Sequence, residues 1–302
     1  IQQHQYCCTV SLGYCLAHSG ASSDELLKQA AIALSHAKAQ GGNSQVGFNP
    51  AMTVEIQQRY QLELALAAAL ADHQFELHYQ PQLSQDGKII GAEALIRWNH
   101  PEQGMISPGK FIPVAEETGL ILEIGKWVVQ TACQQIHEWD QQGIRVPHIA
   151  INISPKQFHQ ADFAGTLERI IAVKKIKPAR VLLEITEGVF LKHESVTINK
   201  MNSLKQKGFN FSIDDFGTGY SSIAHLRNHP ISIVKIDKSL MPDDEQDTKH
   251  IALVKGLVSM ASILGLDVVA EGVEDEDQFE HLKKQRCDTI QGYLFSKPAS
   301  DE

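Results

Sequence analysis

Between Phe75 and Gln291, short and nearly uninterrupted apolar runs alternate with amphipathic stretches of helical period. Almost every apolar run ends on a polar residue that an apolar interior cannot hold without a partner. The runs are Phe75–Gln80, Lys88–Arg97, His148–Ile153, Val181–Ile185, Phe211–Ile213, Ile233–Ile236, Asp267–Ala270 and Thr289–Gln291. Helical periodicity fills Leu120–Gln141, Phe163–Lys174, His193–Lys207, Lys249–Leu264 and Glu276–Gln285. The first two runs are separated by a polar loop ending in Asp86-Gly87, a hairpin signal, so they should lie antiparallel. Strand–helix repetition with apolar strands predicts a parallel sheet covered by helices, and eight strands predict closure into a (β/α)8 TIM-like barrel. An open doubly wound sheet is the alternative, but no glycine-rich phosphate loop follows a strand to favour it.

The chain has 302 residues, enough for one such barrel of about 250 residues and a smaller appendage. Before Phe75, Tyr6–Leu16 reads as a strand, Ser22-Ser23-Asp24-Glu25 as a helix start, and Gly41-Gly42-Asn43 as its stop. One strand and one helix cannot close a core, so residues 1–50 are expected to be the remnant of another α/β domain. Thr53–Ala71, rich in Gln, Glu, Leu and Ala, reads as a connecting helix, giving a linker over 51–72 and a barrel over 73–302. The first residue is Ile1, and a piece of a longer protein is expected.

Charge and cysteine usage narrow the chemistry. A net charge of −9 without a dense basic block offers nothing to a nucleic-acid backbone, so no direct nucleic-acid partner is expected. The most apolar stretch, Leu64–Ala71, is too short to span a bilayer, so this segment should make no membrane contact, although the parent protein is free to be anchored in an inner membrane. Five cysteines without metal-ligand or redox spacing point to structural thiols in a reducing, cytoplasmic setting.

The polar strand ends are Glu93, Asn152, Glu184, Asp214 with Asp215, Lys235, Glu271 and Gln291. In a barrel they would meet at one mouth, where close carboxylates repel unless cations compensate. Carboxylate and amide oxygens without matching His or Cys select hard ions, so Mg²⁺ or Mn²⁺ is expected, with Ca²⁺ as an inhibitory competitor. Any one of these acids read alone suits a helix cap or a turn; together they read as a site. Asp214-Asp215 is the sharpest element, since adjacent acids can bridge two metal ions. Lys235 reads either as a surface side chain or as a charge held among the acids.

These residues lie in an ordered series: Glu93-Ala94-Leu95 with Arg97, Asn152 in Ile-Asn-Ile-Ser, Glu184 and Glu187 in Glu-Ile-Thr-Glu, and Asp214-Asp215 in Asp-Asp-Phe-Gly-Thr-Gly-Tyr-Ser-Ser. Lys235 follows in Lys-Ile-Asp, Glu271 and Glu274 in Glu-Gly-Val-Glu, and Gln291 in Gln-Gly-Tyr. The series resembles the EAL-domain cyclic di-GMP phosphodiesterases over about Phe75 to Pro298. The resemblance implies a barrel with one antiparallel strand, two catalytic metal ions, and hydrolysis of cyclic di-GMP to linear pGpG. It implies Glu93, Asn152, Glu184, Asp214 and Asp215 as metal ligands, and Glu271, Lys235 and Asp215 as the catalytic set. It also implies Leu95, Arg97, Gln80, Asp237, Glu274 and Gln291 as substrate contacts.

Glu187 with the loop from Phe216 through Gly217 and Thr218 resembles the family's control element beside its homodimer surface. Residues 1–50 resemble more loosely the end of a GGDEF diguanylate cyclase domain, in Thr9-Val10-Ser11-Leu12-Gly13 and Ala37-Lys38-Ala39-Gln40-Gly41-Gly42-Asn43. Two other functions compete: a catalytically silent cyclic di-GMP receptor, and a different metal-dependent barrel hydrolase. The complete set of acids favours the enzyme over the receptor.

Overall fold

The structure, a computed structural model, describes residues 8–190, 194–217, 229–242 and 247–300. It divides into two compact units, Ile1–Ala67 and Ala68–Glu302. In the first, β1 (Leu12–Tyr14) pairs in parallel with β2 (Gln45–Gly47), and helix α1 (Ser23–Ala39) connects them. The Ser22 hydroxyl accepts from the Glu25 N–H, and Asp24 and Glu25 at the start with His36 and Lys38 at the end complement the helix dipole. The strand expected over Tyr6–Leu16 contracts to Leu12–Tyr14, with Tyr6 and Cys7 outside the described residues. β2 is too short for its alternation to be read in sequence. Helix α2 (Pro50–Ala69) follows, close to the bounds expected of the connecting helix, and opens on a proline suited to a first helical turn.

The second unit begins with β3 (Phe75–Ser84) and β4 (Ile89–His100), then β5 (Gly104–Ile106) and helices α3 (Pro108–Thr118) and α4 (Ile121–Gln141). The chain continues through β6 (Ile149–Ile153), α5 (Pro155–Phe158), α6 (Phe163–Lys174), β7 (Val181–Thr186), α7 (Glu194–Gln206) and β8 (Asn210–Phe216). It ends with β9 (Ile233–Ile236), α8 (Thr248–Ile263), β10 (Asp267–Ala270), α9 (Glu276–Lys284) and β11 (Thr289–Ile290). Hydrogen-bonded neighbours run β3, β11, β10, β9, β8, β7, β6, β4 and back to β3, closing an eight-stranded barrel. β3 is antiparallel to β4 and β11, while the remaining barrel pairs are parallel. The barrel and its single antiparallel strand match the sequence expectation.

β5 and α3 were not expected. Pro108 at the first turn suits a helix start, but Pro113 lies inside the helix, where proline ordinarily breaks the pattern, and it hides the periodicity. Tertiary packing overrides it: the rings of Phe75, Trp98 and Phe111 stand within 5.8 Å of one another. Tyr79 packs edge-on against Trp139 of α4 with ring centroids 5.0 Å apart. The odd positions of β3 therefore face the helices, and by strand alternation Gln80 and Gln82 face the barrel interior. α4 buries Ile121, Ile124, Val128, Ala132, Cys133, Ile136 and Trp139, one helical stripe against the sheet. Among the described residues no helix is long and apolar enough to cross a membrane.

The four described cysteines are free thiols. Burial pushes both Cys133 and Cys287 up to about 12, far from the thiolate form that reacts. In the native chain a thiol-reactive probe followed by peptide mapping should label the exposed Cys8 and leave Cys133 and Cys287 unmodified until denaturant is added. Prompt native labelling of either would contradict this packing.

Candidate active site

Four strands and the residue that follows β10 deliver polar side chains to one point, and the point is an ammonium group. Lys235 of β9 is 1% exposed, and its Nζ lies 2.9 Å from Glu184 Oε2, 3.2 Å from Glu93 Oε2, 3.4 Å from Asp214 Oδ1 and 2.6 Å from Glu271 Oε1. Strand register brings them near one another in a staggered series: Asn152 stands beside Glu184, Asp214 beside Thr186 two residues past Glu184, and Lys235 beside Val269 two residues before Glu271. The surface alternative for Lys235 is thereby excluded.

The two buried glutamates respond in opposite directions. Burial pushes Glu93 up, but the Lys235 charge and hydrogen bonds from Gln291 and Asn152 outweigh it and hold the group below the ordinary value. Asn152 Nδ2 donates to Oε1 at 2.7 Å and Gln291 Nε2 to Oε2 at 2.6 Å. Glu184 has Lys235 on one oxygen, while its Oε1 is buried without a hydrogen-bond partner. Burial therefore wins, helped by the neighbouring acids, and Glu184 is raised well above the carboxylate range. Burial also lifts Glu271 to about 7 against the pull of Lys235.

Asp214 and Asp215 share the site because β8 carries an extra residue there. Ile213 pairs with Val234 and Phe216 with Ile236, so three steps on β8 match two on β9. The bulge places Asp215 at φ 55°, a left-handed conformation that Asp tolerates better than most residues. Both acids then line one cavity, where strict alternation would have sent them to opposite faces. Burial raises the pKa of Asp215, and Asp214 and Asp237 add to it. Gly217 follows at φ 95°, and a Cβ there would come 2.7 Å from Leu240 Cδ1. Thr218 lies outside the described residues.

The cavity at this mouth has a volume of about 500 Å³ and is lined by Leu95, Arg97, Asn152, Glu184, Asp214 and Asp215, with Pro108, Ile112 and Glu116 of α3 on its rim. Gln80 and Gln291 are also brought to the cluster, but both are buried and bonded to protein: Gln291 Nε2 donates to Gln80 Oε1 at 3.1 Å, and Gln80 Nε2 donates to the Ser296 carbonyl at 3.1 Å. Asp237 caps a short 3-10 turn by accepting from Ser239 N–H at 2.9 Å. Glu274 pairs with the exposed Lys238 and does not reach Lys235. Glu187 opens the 3-10 turn Glu187–Phe190 that follows β7.

The acids close on Lys235 instead of on one another, so among the described residues no three His, Cys, Asp or Glu side chains form a ready metal cage. The donor chemistry suits a hard divalent cation all the same. It is oxygen-only, one ammonium faces four carboxyl groups, and the orphaned Glu184 Oε1 is an acceptor lacking a positive partner. Sequence reasoning passed over Gln82 and His148, which extend this network inward, and the α3 residues of the rim. Gln82 was findable, two residues from Gln80 and thus on its face of β3. The rim was not, because it depends on the helix that Pro113 conceals.

The model of the EAL domain family matches residues 63–298. The bifunctional diguanylate cyclase/cyclic di-GMP phosphodiesterase MucR of Pseudomonas aeruginosa is 38% identical over 100% of this chain and 44% of its own length. The cyclic di-GMP phosphodiesterase NbdA of the same species is 37% identical over 96% of this chain and 37% of its own length. The chain thus spans less than half the length of these curated relatives. Among solved structures, the PaMucR phosphodiesterase in a cyclic di-GMP complex superimposes with a TM-score of 0.76 at 39% identity, covering 80% of this chain and 98% of that one. An EAL domain protein from Listeria monocytogenes gives 0.69 at 32% identity, covering 78% and 93%. With the motif series, the closed barrel and a family match over most of its length in agreement, the chain belongs to the EAL domain family.

Proposed function

We propose that this chain hydrolyses one phosphodiester bond of cyclic di-GMP to give linear pGpG. The observation that carries the reading is the Lys235-centred set of carboxyl groups beneath a cavity of about 500 Å³ lined by Arg97, Asp214 and Asp215. Relatives whose names record this activity, and a solved relative that holds cyclic di-GMP, support it.

In this reading two divalent ions, Mg²⁺ or Mn²⁺, are held by Glu93, Asn152, Glu184, Asp214 and Asp215. When bound they would supply Lewis acidity toward the phosphoryl oxygen and lower the pKa of the attacking water. Ca²⁺ would compete for the same oxygens and inhibit. The Arg97 guanidinium offers a fork to a phosphate, and Leu95 supplies apolar contact beside it. Glu271 orients the water and accepts its proton as the water oxygen bonds to phosphorus and the P–O3′ bond breaks, the departing 3′ oxygen taking up a proton to become the free hydroxyl of pGpG. Lys235 holds Glu271 in place and offsets part of the carboxylate charge, and Asp215 completes the catalytic set. Gln80, Gln291, Asp237 and Glu274 complete the substrate side of the reading, either directly or through the groups they hold.

The same reading makes Glu187, Phe216, Gly217 and Thr218 a control element coupled to a homodimer. Residues 1–50 would be a GGDEF-like remnant, 51–72 a linker and 73–302 the catalytic barrel. In a longer, cytoplasm-facing parent protein such a remnant would lie upstream of the phosphodiesterase.

The deciding experiment is chromatographic: the intact chain and a Glu93→Ala variant are incubated with cyclic di-GMP and Mg²⁺, Mn²⁺, Ca²⁺ or chelator. Production of pGpG with Mg²⁺ or Mn²⁺, abolished by chelator and reduced at least a hundredfold in the variant, is expected. Tight binding without turnover would make the chain a receptor.

The charge balance predicts a second result. Lys235→Met removes the cation from a buried cluster and should cost about 3–5 kcal/mol of stability in metal-free buffer, read by urea unfolding. Wild-type stability in that variant would mean that the acids do not depend on Lys235.

A further inference from the structure

Beneath Glu93 the barrel holds a second polar layer that the reaction does not touch. The antiparallel register sets Gln80 opposite Glu93 and Gln82 opposite Gly91. His148, immediately before β6, stands level with Gly91, because Ile149 pairs with Ala92. His148 Nε2 lies 3.2 Å from Gln82 Oε1, Gln82 Nε2 donates to Gln291 Oε1 at 2.9 Å, and Gln291 Nε2 donates to Glu93 Oε2 at 2.6 Å. Gln82 and Gln291 are 1% and 4% exposed, so water is no substitute for these partners.

The chemistry allows one polarity. Glu93, paired with Lys235, is a carboxylate and only accepts, so Gln291 must turn its NH2 toward it. The Gln291 carbonyl then faces the Gln82 NH2, which leaves the Gln82 carbonyl to accept from a protonated His148 Nε2. Reversing Gln291 would set its carbonyl against the carboxylate, reversing Gln82 would set two carbonyls against each other, and moving the His148 proton to Nδ1 would set a ring lone pair against the Gln82 carbonyl. Gly91 is the residue that lets the layer assemble, since a Cβ there would lie 2.4 Å from His148 Nε2 and 2.8 Å from Gln82 Oε1.

We propose that Gln82 and His148 are positioning residues that commit the Gln291 amide to Glu93, and so hold that carboxylate in the orientation in which it meets Asn152 and Lys235. The inference rests on the phosphodiesterase reading, in which Glu93 binds metal. Groups bonded directly to a metal ligand, as Gln291 is to Glu93, typically change activity or metal affinity about 10–100-fold when lost, and Gln82 and His148 act through Gln291 from further out.

Gln82→Leu, acting through Gln291, should therefore lower kcat about tenfold, the low end of that range, with KM changed little. In the background of Gln291→Leu the same substitution should have almost no further effect, because both act through one path to Glu93. His148→Phe should lose activity, and His148→Gln, which keeps an N–H donor, should recover most of it. In metal-free wild-type chain at neutral pH, 15N spectra should show His148 protonated at Nε2 and bare at Nδ1. Full kcat in Gln82→Leu, losses that multiply in the double variant, or a proton on Nδ1 with Nε2 bare would each overturn the proposal. The tautomer is read on the wild-type chain and survives any folding failure of a variant. Should the wild type not hydrolyse cyclic di-GMP, the phosphodiesterase reading falls, while the tautomer still decides the relay.

Discussion

The buried ammonium of Lys235 is what permits the rest of the site. Burial alone would depress it, but Glu184, Glu93, Glu271 and Asp214 press close and hold it well above its ordinary value, so it stays charged. In a site of effective dielectric near 20, one ion pair at 4 Å is worth about 4 kcal/mol, enough to offset part of the cost of desolvating a carboxylate. One cation cannot satisfy four acids that also repel one another. The burial-driven rise of Glu184 and of Glu271, the latter to about 7, records that deficit. An oxygen-rich cluster short of positive charge is the state a divalent cation would complete.

The barrel makes this concentration of charge possible by distributing it among strands. β4, β6, β7, β8 and β9 and the residue after β10 each contribute one or two polar side chains to the site, while the core around them stays largely apolar, so the helices still cover a continuous core. Two departures from regular geometry adjust the result. The bulge in β8 brings consecutive acids to one cavity, and antiparallel β3 places Gln80 opposite Glu93 and Gln82 beneath it, where a parallel strand would reach the site from the other direction.

The division between Glu93 and Glu184 shows how neighbours decide the behaviour of like residues. Both are buried and both touch Lys235, yet Glu93 receives two amide donors and Glu184 none on its second oxygen. The chain Gln82–Gln291 is part of what separates them. Supporting residues of this kind leave no motif, because their effect passes through another side chain.

The alternation of apolar runs and helical stripes was enough to specify eight strands, their order of appearance and the antiparallel first pair, because period and turn chemistry are local properties. The strand-end acids and Lys235 were legible for a related reason: polar residues ending apolar runs are conspicuous wherever they occur. Helix α3 was not, since Pro113 breaks the local signal and only packing of Phe111 against Phe75 and Trp98 sustains the helix. The buried partners of Lys235, the opposite fates of Glu93 and Glu184, the bulge that aims Asp215 and the bond from Gln82 to Gln291 belonged to tertiary structure alone. They join residues far apart in sequence, and their energies depend on distance, burial and the count of donors per oxygen, which no single segment of the chain contains.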